Sequence, residues 1–295
     1  MAACVGAWCL FLSGCQPAIL DPHGPIGAAE KTILFNSVAI MLAIVVPTIV
    51  AILWFAWWFR ASNTRAQYRP DWVYSGRIEL ITWSIPVLVI LFLGGITWVG
   101  SHDLDPARPI KPATASLEIQ VVSLDWKWLF IYPSQGIATV NQLTIPVGTP
   151  VHFSLTSASV MNVFFVPQLG SMIYTMNGMS DQLNLQADTA GTYYGESAHF
   201  SGDGFSGMHF DVTAVPADSF TPWIASIQAS GPTLDAASYA ELAKQSENVQ
   251  PFTYRAAEPG IYEMIVTQKL APGPGPQSDS SNLNVSPRSE RNNAR

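Results

Sequence analysis

Between Lys31 and Arg60 the chain runs for 28 residues without a charge, and from Leu80 to Ser101 for another 22. A helix needs about 20 apolar residues to cross about 30 Å of hydrocarbon, so both runs predict membrane spans. We place them at about residues 33–59 and 79–100. Pro47 falls inside the first and is expected to bend it, because lipid offers the backbone no other hydrogen-bonding partner. Trp54, Trp57 and Trp58 close the first run, and Trp83 and Trp98 lie near the ends of the second, where an aromatic belt meets the membrane boundary. The connecting loop holds Arg60, Arg65, Arg69 and Arg77 against the single acid Asp71. Arginines in short loops stay cytoplasmic, so the turn is expected to face in and both outer ends to face out.

After Pro112 the period changes to two. Leu117, Ile119 and Val121 alternate with Glu118 and Gln120; Val151, Phe153 and Leu155 alternate with His152, Ser154 and Thr156. Leu183 and Leu185 flank Asn184, and Met208, Phe210 and Val212 interleave with His209, Asp211 and Thr213. Half-buried strands separated by turns such as Pro146-Val147-Gly148 and Ala190-Gly191 predict an antiparallel sandwich over residues 113–216. From Pro216 the composition turns helical, around Phe220–Gln228 and Leu234–Lys244, giving a helical arm over 217–270 whose stretch Phe252–Lys269 does not declare a type. Residues 271–295, rich in Pro, Gly, Ser and Asn, predict a disordered tail.

Composition agrees with an anchor plus one domain. Only 12% of residues are charged, against roughly 25% in an average soluble protein. From His102 onward 17 acidic residues face nine basic ones, which disfavours a nucleic-acid partner. All three cysteines, Cys4, Cys9 and Cys15, precede residue 16, so the outer domain has no thiol for a disulfide, a thiolate metal site or a nucleophile. Leu12-Ser13-Gly14-Cys15 resembles a bacterial lipobox, which implies removal of a 1–14 leader and acylation of Cys15. No Lys or Arg precedes the apolar stretch, a departure from that pattern; the other reading is a plain hydrophobic N-terminus with a buried cysteine.

The hairpin anchor (15–104) followed by an outward sandwich resembles subunit II of the haem–copper respiratory oxidases. The run from Ser123 to Pro133, with Trp126, Lys127, Trp128, Phe130 and Tyr132, is similar to that family's aromatic strand. Gln135-Gly136-Ile137-Ala138-Thr139-Val140-Asn141, the stretch Val160–Pro167 and Phe205-Ser206-Gly207-Met208 resemble its quinol-oxidising, bo-type branch. The implied fold is a two-helix membrane hairpin plus an all-β cupredoxin-like sandwich with a C-terminal helical extension.

In the cytochrome c-oxidising branch this domain holds a binuclear copper centre, ligated by a histidine before an aromatic-Val-Pro segment and by a Cys-x-x-x-Cys-x-x-x-His-x-x-Met loop. Two bridging thiolates are the soft ligands such a centre needs. Laid on this chain, the first histidine position holds Asn162, the cysteine positions Ser197 and Ser201, and the later histidine position Phe205; Met208 alone remains. The backbone-carbonyl ligand falls on His199, where the family usually has Glu. Serine hydroxyls are hard and protonated at neutral pH, so the resemblance implies no metal or cofactor bound by this chain. It further implies haems and one copper in a large subunit I, further small membrane subunits and membrane lipid as partners, ubiquinol as the donor, and no role for cytochrome c. The implied location is the bacterial inner membrane, with the sandwich in the periplasm.

Glu79 stands at the cytoplasmic edge of the second span, seven residues before Pro86. It reads either as a boundary residue or, as the resemblance implies, as a proton-uptake group beside a channel of the large subunit. Trp126 and Trp128 match the place where the other branch takes electrons from cytochrome c; here packing is the favoured role. His23, His102, His152, His199 and His209 show no ligand spacing, and His152 and His209 are expected on solvent faces. Gly94-Gly95 offers either a small-residue helix contact or local flexibility. Two other readings stand: a copper-bearing cytochrome c oxidase subunit II, and a membrane-anchored cupredoxin-like binding module without respiratory function.

Overall fold

A computed structural model describes residues 18–67, 69–110 and 116–275. The lipobox with Cys15 and the chain beyond residue 275 lie outside the described residues. Two units are described separately: residues 29–105, and residues up to 28 together with 106 onward.

The first unit is the helical hairpin. Helix α1 spans Pro25–Trp58, its N-terminal residues belonging to the second unit, and α2 spans Gly76–Asp103; both are long and apolar enough to cross a membrane. Proline opens α1, where its missing N–H costs nothing and its φ is already helical. Pro47 and Pro86 sit inside helices that continue through them. The two helices come together at Gly100, where an added Cβ would stand 2.7 Å from Ile33 Cδ1. At Gly94 and Gly95 such a Cβ would instead meet nothing within 4 Å beyond its own stretch of helix, so their surface is open to a neighbour.

The second unit is a sandwich of two sheets. Its strands are β1 (Leu117–Leu124), β2 (Lys127–Tyr132), β3 (Ile137–Val140), β4 (Gln142–Pro146), β5 (Val151–Ser157), β6 (Asn162–Val166), β7 (Gly170–Thr175), β8 (Asp181–Leu185), β9 (Gly191–Ser197) and β10 (His209–Val215). Beyond β10 come α3 (Ala217–Gln228), β11 (Thr233–Leu234), α4 (Ala236–Leu242), β12 (Phe252–Tyr254), β13 (Ala256–Ala257) and α5 (Ile261–Val266). The larger sheet runs β12-β3-β2-β1-β5-β8 and the smaller β4-β10-β9-β6-β7. Ile119, Val121, Trp128, Phe130, Phe153, Phe164 and Phe210 fill the space between them, with Phe164 and Phe210 stacked at 5.2 Å. Phe220, Ile224 and Ile227, at helical spacing on α3, extend this core.

A second core lies on the far side of the larger sheet. Val122, Leu124, Leu129, Ile131, Ala138 and Val140 point outward there and are covered by Leu234, Tyr239, Leu242, Tyr254, Ile261, Tyr262 and Ile265 of the C-terminal arm. Both faces of β2 are therefore buried, which is why Lys127–Tyr132 has no exposed position. The arm predicted as helical proves mixed: β12 joins the larger sheet by pairing antiparallel with β3, and β11 pairs with β13. Its helix α4 is capped reciprocally, the Ser238 amide donating to Asp235 Oδ1 and the Asp235 amide to Ser238 Oγ, both at 2.8 Å. The disordered tail predicted from residue 271 also begins too early, because the Gly273 amide donates to Ala158 O at 2.7 Å and the Gly275 amide to Asp125 Oδ2 at 3.0 Å.

Candidate functional site

The positions read as vacated copper ligands come together at one end of the sandwich. Asn162 begins β6, Ser197 ends β9, and the loop between β9 and β10 carries His199, Ser201, Phe205 and Met208, with a 3-10 turn over Asp203–Gly207. Asn162, Ser197, Ser201 and Met208 are buried. Ser197 Oγ donates to Asn162 Oδ1 at 3.1 Å and lies 3.3 Å from His199 O, and the Ser197 amide donates to Met208 O at 3.2 Å. Ser201 Oγ stands 4.0 Å from Met208 Sδ. Phe205 packs edge-on against Phe200, with ring centroids 5.6 Å apart.

Two neutral hydroxyls, an amide and a thioether thus occupy this end, two of them bonded to each other. Such a set offers no bridging anion for two coppers, so the residues present do not fit a binuclear copper centre. Among the described residues no group of three His, Cys, Asp or Glu side chains has metal-binding geometry.

The loop is held from the side by the hairpin between β1 and β2. Trp126 adopts φ +63°, uncommon for a bulky residue, and its indole Nε1 donates to Ser201 O at 3.2 Å. The indole lies over Gly204, where an added Cβ would stand 2.5 Å from the ring, so only glycine fits. Trp128 is fully buried between Phe164 and Phe210, at 5.5 and 5.6 Å. Both tryptophans pack within this domain.

Sequence reasoning missed the two charges that flank Trp126. Asp125 and Lys127 are 3% and 1% exposed, although charged side chains are seldom buried without partners. Lys127 Nζ donates to Lys244 O and Ser246 Oγ, both at 2.6 Å, and to Asp125 O at 3.4 Å. Burial pulls its pKa down to about 8, against the opposing pull of the Asp125 charge. The Asp125 carboxylate accepts from Ser159 Oγ and from the Gly275 amide. The pair thereby grips two separate stretches of the arm, around residue 245 and at residue 275. Their place inside an otherwise apolar stretch, Leu124-Asp125-Trp126-Lys127-Trp128-Leu129, was the available signal.

The remaining candidates are dispersed. Glu79 sits exposed in the first turn of α2, where a carboxylate complements the positive end of the helix dipole. His209 is exposed on β10 as expected, stacked on Tyr194 at 5.8 Å. His152 is half-buried rather than solvent-facing, because Asn184 reaches across from β8 to bond its Nδ1 at 3.0 Å. His199 packs edge-on to Tyr174, His102 lies against Trp98, and His23 bonds Thr189 Oγ1 at 2.8 Å.

Comparison with known proteins gives a consistent family. Residues 117–215 match the model "Cytochrome C oxidase subunit II, periplasmic domain", and residues 228–273 match "COX Aromatic Rich Motif". Ubiquinol oxidase subunit 2 of Acetobacter aceti is 51% identical over 262 residues, spanning 88% of this chain and 85% of that protein. Cytochrome bo(3) ubiquinol oxidase subunit 2 of Pseudomonas aeruginosa is 48% identical over 259 residues, spanning 88% and 78%. The chain belongs to the cytochrome c oxidase subunit II family, among its ubiquinol oxidase subunit 2 members, and is a membrane-anchored component of an oxidoreductase complex.

Proposed function

We propose that this chain is the subunit of a ubiquinol-oxidising haem–copper oxidase that carries no redox centre of its own. The observation that carries this reading is the neutral set Asn162, Ser197, Ser201 and Phe205 where thiolates and imidazoles would be needed. A soluble protein donor has no metal here to receive its electrons. A quinol is lipid-soluble and delivers its electrons within the membrane to the large subunit, whose haems and copper reduce oxygen to water. The relatives named for ubiquinol support that donor. On this reading the chain's work is structural: the hairpin packs beside subunit I and further small subunits, and the arginine loop keeps its turn on the cytoplasmic side of the inner membrane, with the sandwich periplasmic. The expected result for the purified complex is ubiquinol oxidation, no cytochrome c oxidation and a single copper per complex. Two further coppers in this domain, or turnover with cytochrome c, would overturn the reading, and failure to co-purify with a haem-bearing subunit would favour a free-standing binding module.

Two residue roles belong to the same reading. The Glu79 carboxylate, at the cytoplasmic end of α2, takes a proton from bulk water and hands it to a water chain in the large subunit. Glu79→Ala should then slow proton-coupled turnover while assembly is unchanged; wild-type turnover in that variant removes the role. Cys15 takes the lipid, so Cys15→Ser should lose fatty-acyl labelling and stay membrane-bound through α1 and α2. Labelling that persists in that variant sinks the assignment.

A further inference from the structure

The strongest unassigned feature lies at the turn of the hairpin. A cavity of about 940 Å³ opens at the Trp58 end of α1, lined among others by Trp58, Arg60, Arg65, Gln67, Arg69 and Trp72. Three guanidinium-bearing residues therefore converge on one space, and among the described residues no carboxylate lines it. The loop is built to hold them. The Asn63 side chain donates to Trp58 O, ending the helix, and its Oδ1 accepts the Arg65 amide at 3.1 Å. Arg60 lies 4.9 Å over the Trp57 ring and donates to Trp57 O at 2.9 Å and to Ser62 Oγ at 3.0 Å. Arg69 spends one N–H on Gln67 Oε1 at 2.7 Å. Each guanidinium carries five donors, so most of them remain to be met from outside.

Uncompensated charge at this density attracts an anion, and forked arginine donors match phosphate oxygens two at a time. The indoles of Trp58 and Trp72 give the same cavity an apolar, amphipathic wall of the kind that settles at headgroup level. We propose that this loop is a binding site for the phosphodiester headgroup of an anionic phospholipid, with Arg60, Arg65 and Arg69 on the phosphate and Trp58 and Trp72 against the glycerol and upper acyl segments. The position at the end of a membrane-spanning helix selects a lipid over a free phosphate, because the ligand is already concentrated there. The proposal is independent of the donor assignment: lipid retention and donor preference are separate readouts.

The test uses the complete detergent-purified complex carrying wild-type chain, Arg65→Gln/Arg69→Gln or Arg65→Lys/Arg69→Lys, equilibrated with phosphatidylglycerol. Retained lipid is measured by native mass spectrometry, with and without inorganic phosphate. The glutamine pair should weaken retention about fivefold for each arginine lost. The lysine pair keeps the charge that sets topology, so a smaller loss there separates forked recognition from an insertion fault. Equal retention by wild type and the glutamine pair would overturn the site. So would wild-type retention in the lysine pair, which leaves only diffuse charge, or displacement by inorganic phosphate, which makes the site one for soluble anions.

Discussion

The two sheets of the outer domain present their outward faces to different surroundings. On the smaller sheet, His209, Asp211, Thr213, Tyr194 and Glu196 face outward, and Tyr194 and His209 are exposed and stacked on each other. On the larger sheet the same outward direction meets Tyr239, Tyr262, Ile261 and Ile265 of the arm, and Val122, Leu129 and Ile131 are shut away from water. A sheet with one wet face keeps its alternation, and a sheet covered on both faces loses it. The price of covering is that polar groups under the arm need partners, and Asp125 and Lys127 show how that is met: Lys127 donates to Lys244 O and Ser246 Oγ, and Asp125 accepts from the Gly275 amide.

The sharpest way to break the contrast is to remove a side chain under the arm. Leu129→Ala, at a fully buried outward position, should cost about 2–5 kcal/mol in thermal or denaturant unfolding, by lost transfer energy plus the cavity left behind. A loss below 1 kcal/mol would mean the arm is a loose cover. On the wet sheet Tyr194→Ala should stay within about 0.5 kcal/mol of wild type. A large loss there would show that a partner or the chain itself covers this face too.

Lys127 adds a pH signature. Its folded pKa of about 8 lies below the ordinary 10.5, so between those values the unfolded chain binds more protons and stability rises with pH. The contribution is fully present above 10.5 and is lost as pH falls through about 8. Buried Tyr132, Tyr239 and Tyr262, whose hydroxyls are pushed above their ordinary 10.0 chiefly by burial, act oppositely once pH exceeds that value. Unfolding temperature should therefore climb from about pH 8 toward 10, and Lys127→Met should flatten that climb while weakening the arm. An identical slope in the variant would assign it elsewhere.

A smaller loss than at Leu129 is expected at the vacated ligand positions. Ser197→Ala removes one neutral hydrogen bond to buried Asn162 and should cost about 1 kcal/mol. A much larger cost, or loss of the loop's protection in hydrogen exchange, would show that this pair and not the Trp126–Gly204 contact holds the loop.

Uncharged apolar runs determined the two spans and period-two alternation the strands with a wet face, because each is set by a local pattern against a single apolar environment; the stripe Phe220, Ile224 and Ile227 of α3 emerged only with the structure. Residue chemistry at Asn162, Ser197, Ser201 and Phe205 likewise excluded a thiolate copper centre without coordinates. The cover over β2, the strand β12 inside a segment of ambiguous pattern, and the burial of Asp125 and Lys127 were decided only by tertiary structure. Their partners lie more than a hundred residues away, at Lys244, Ser246 and Gly275, and no local window carries an interaction of that separation.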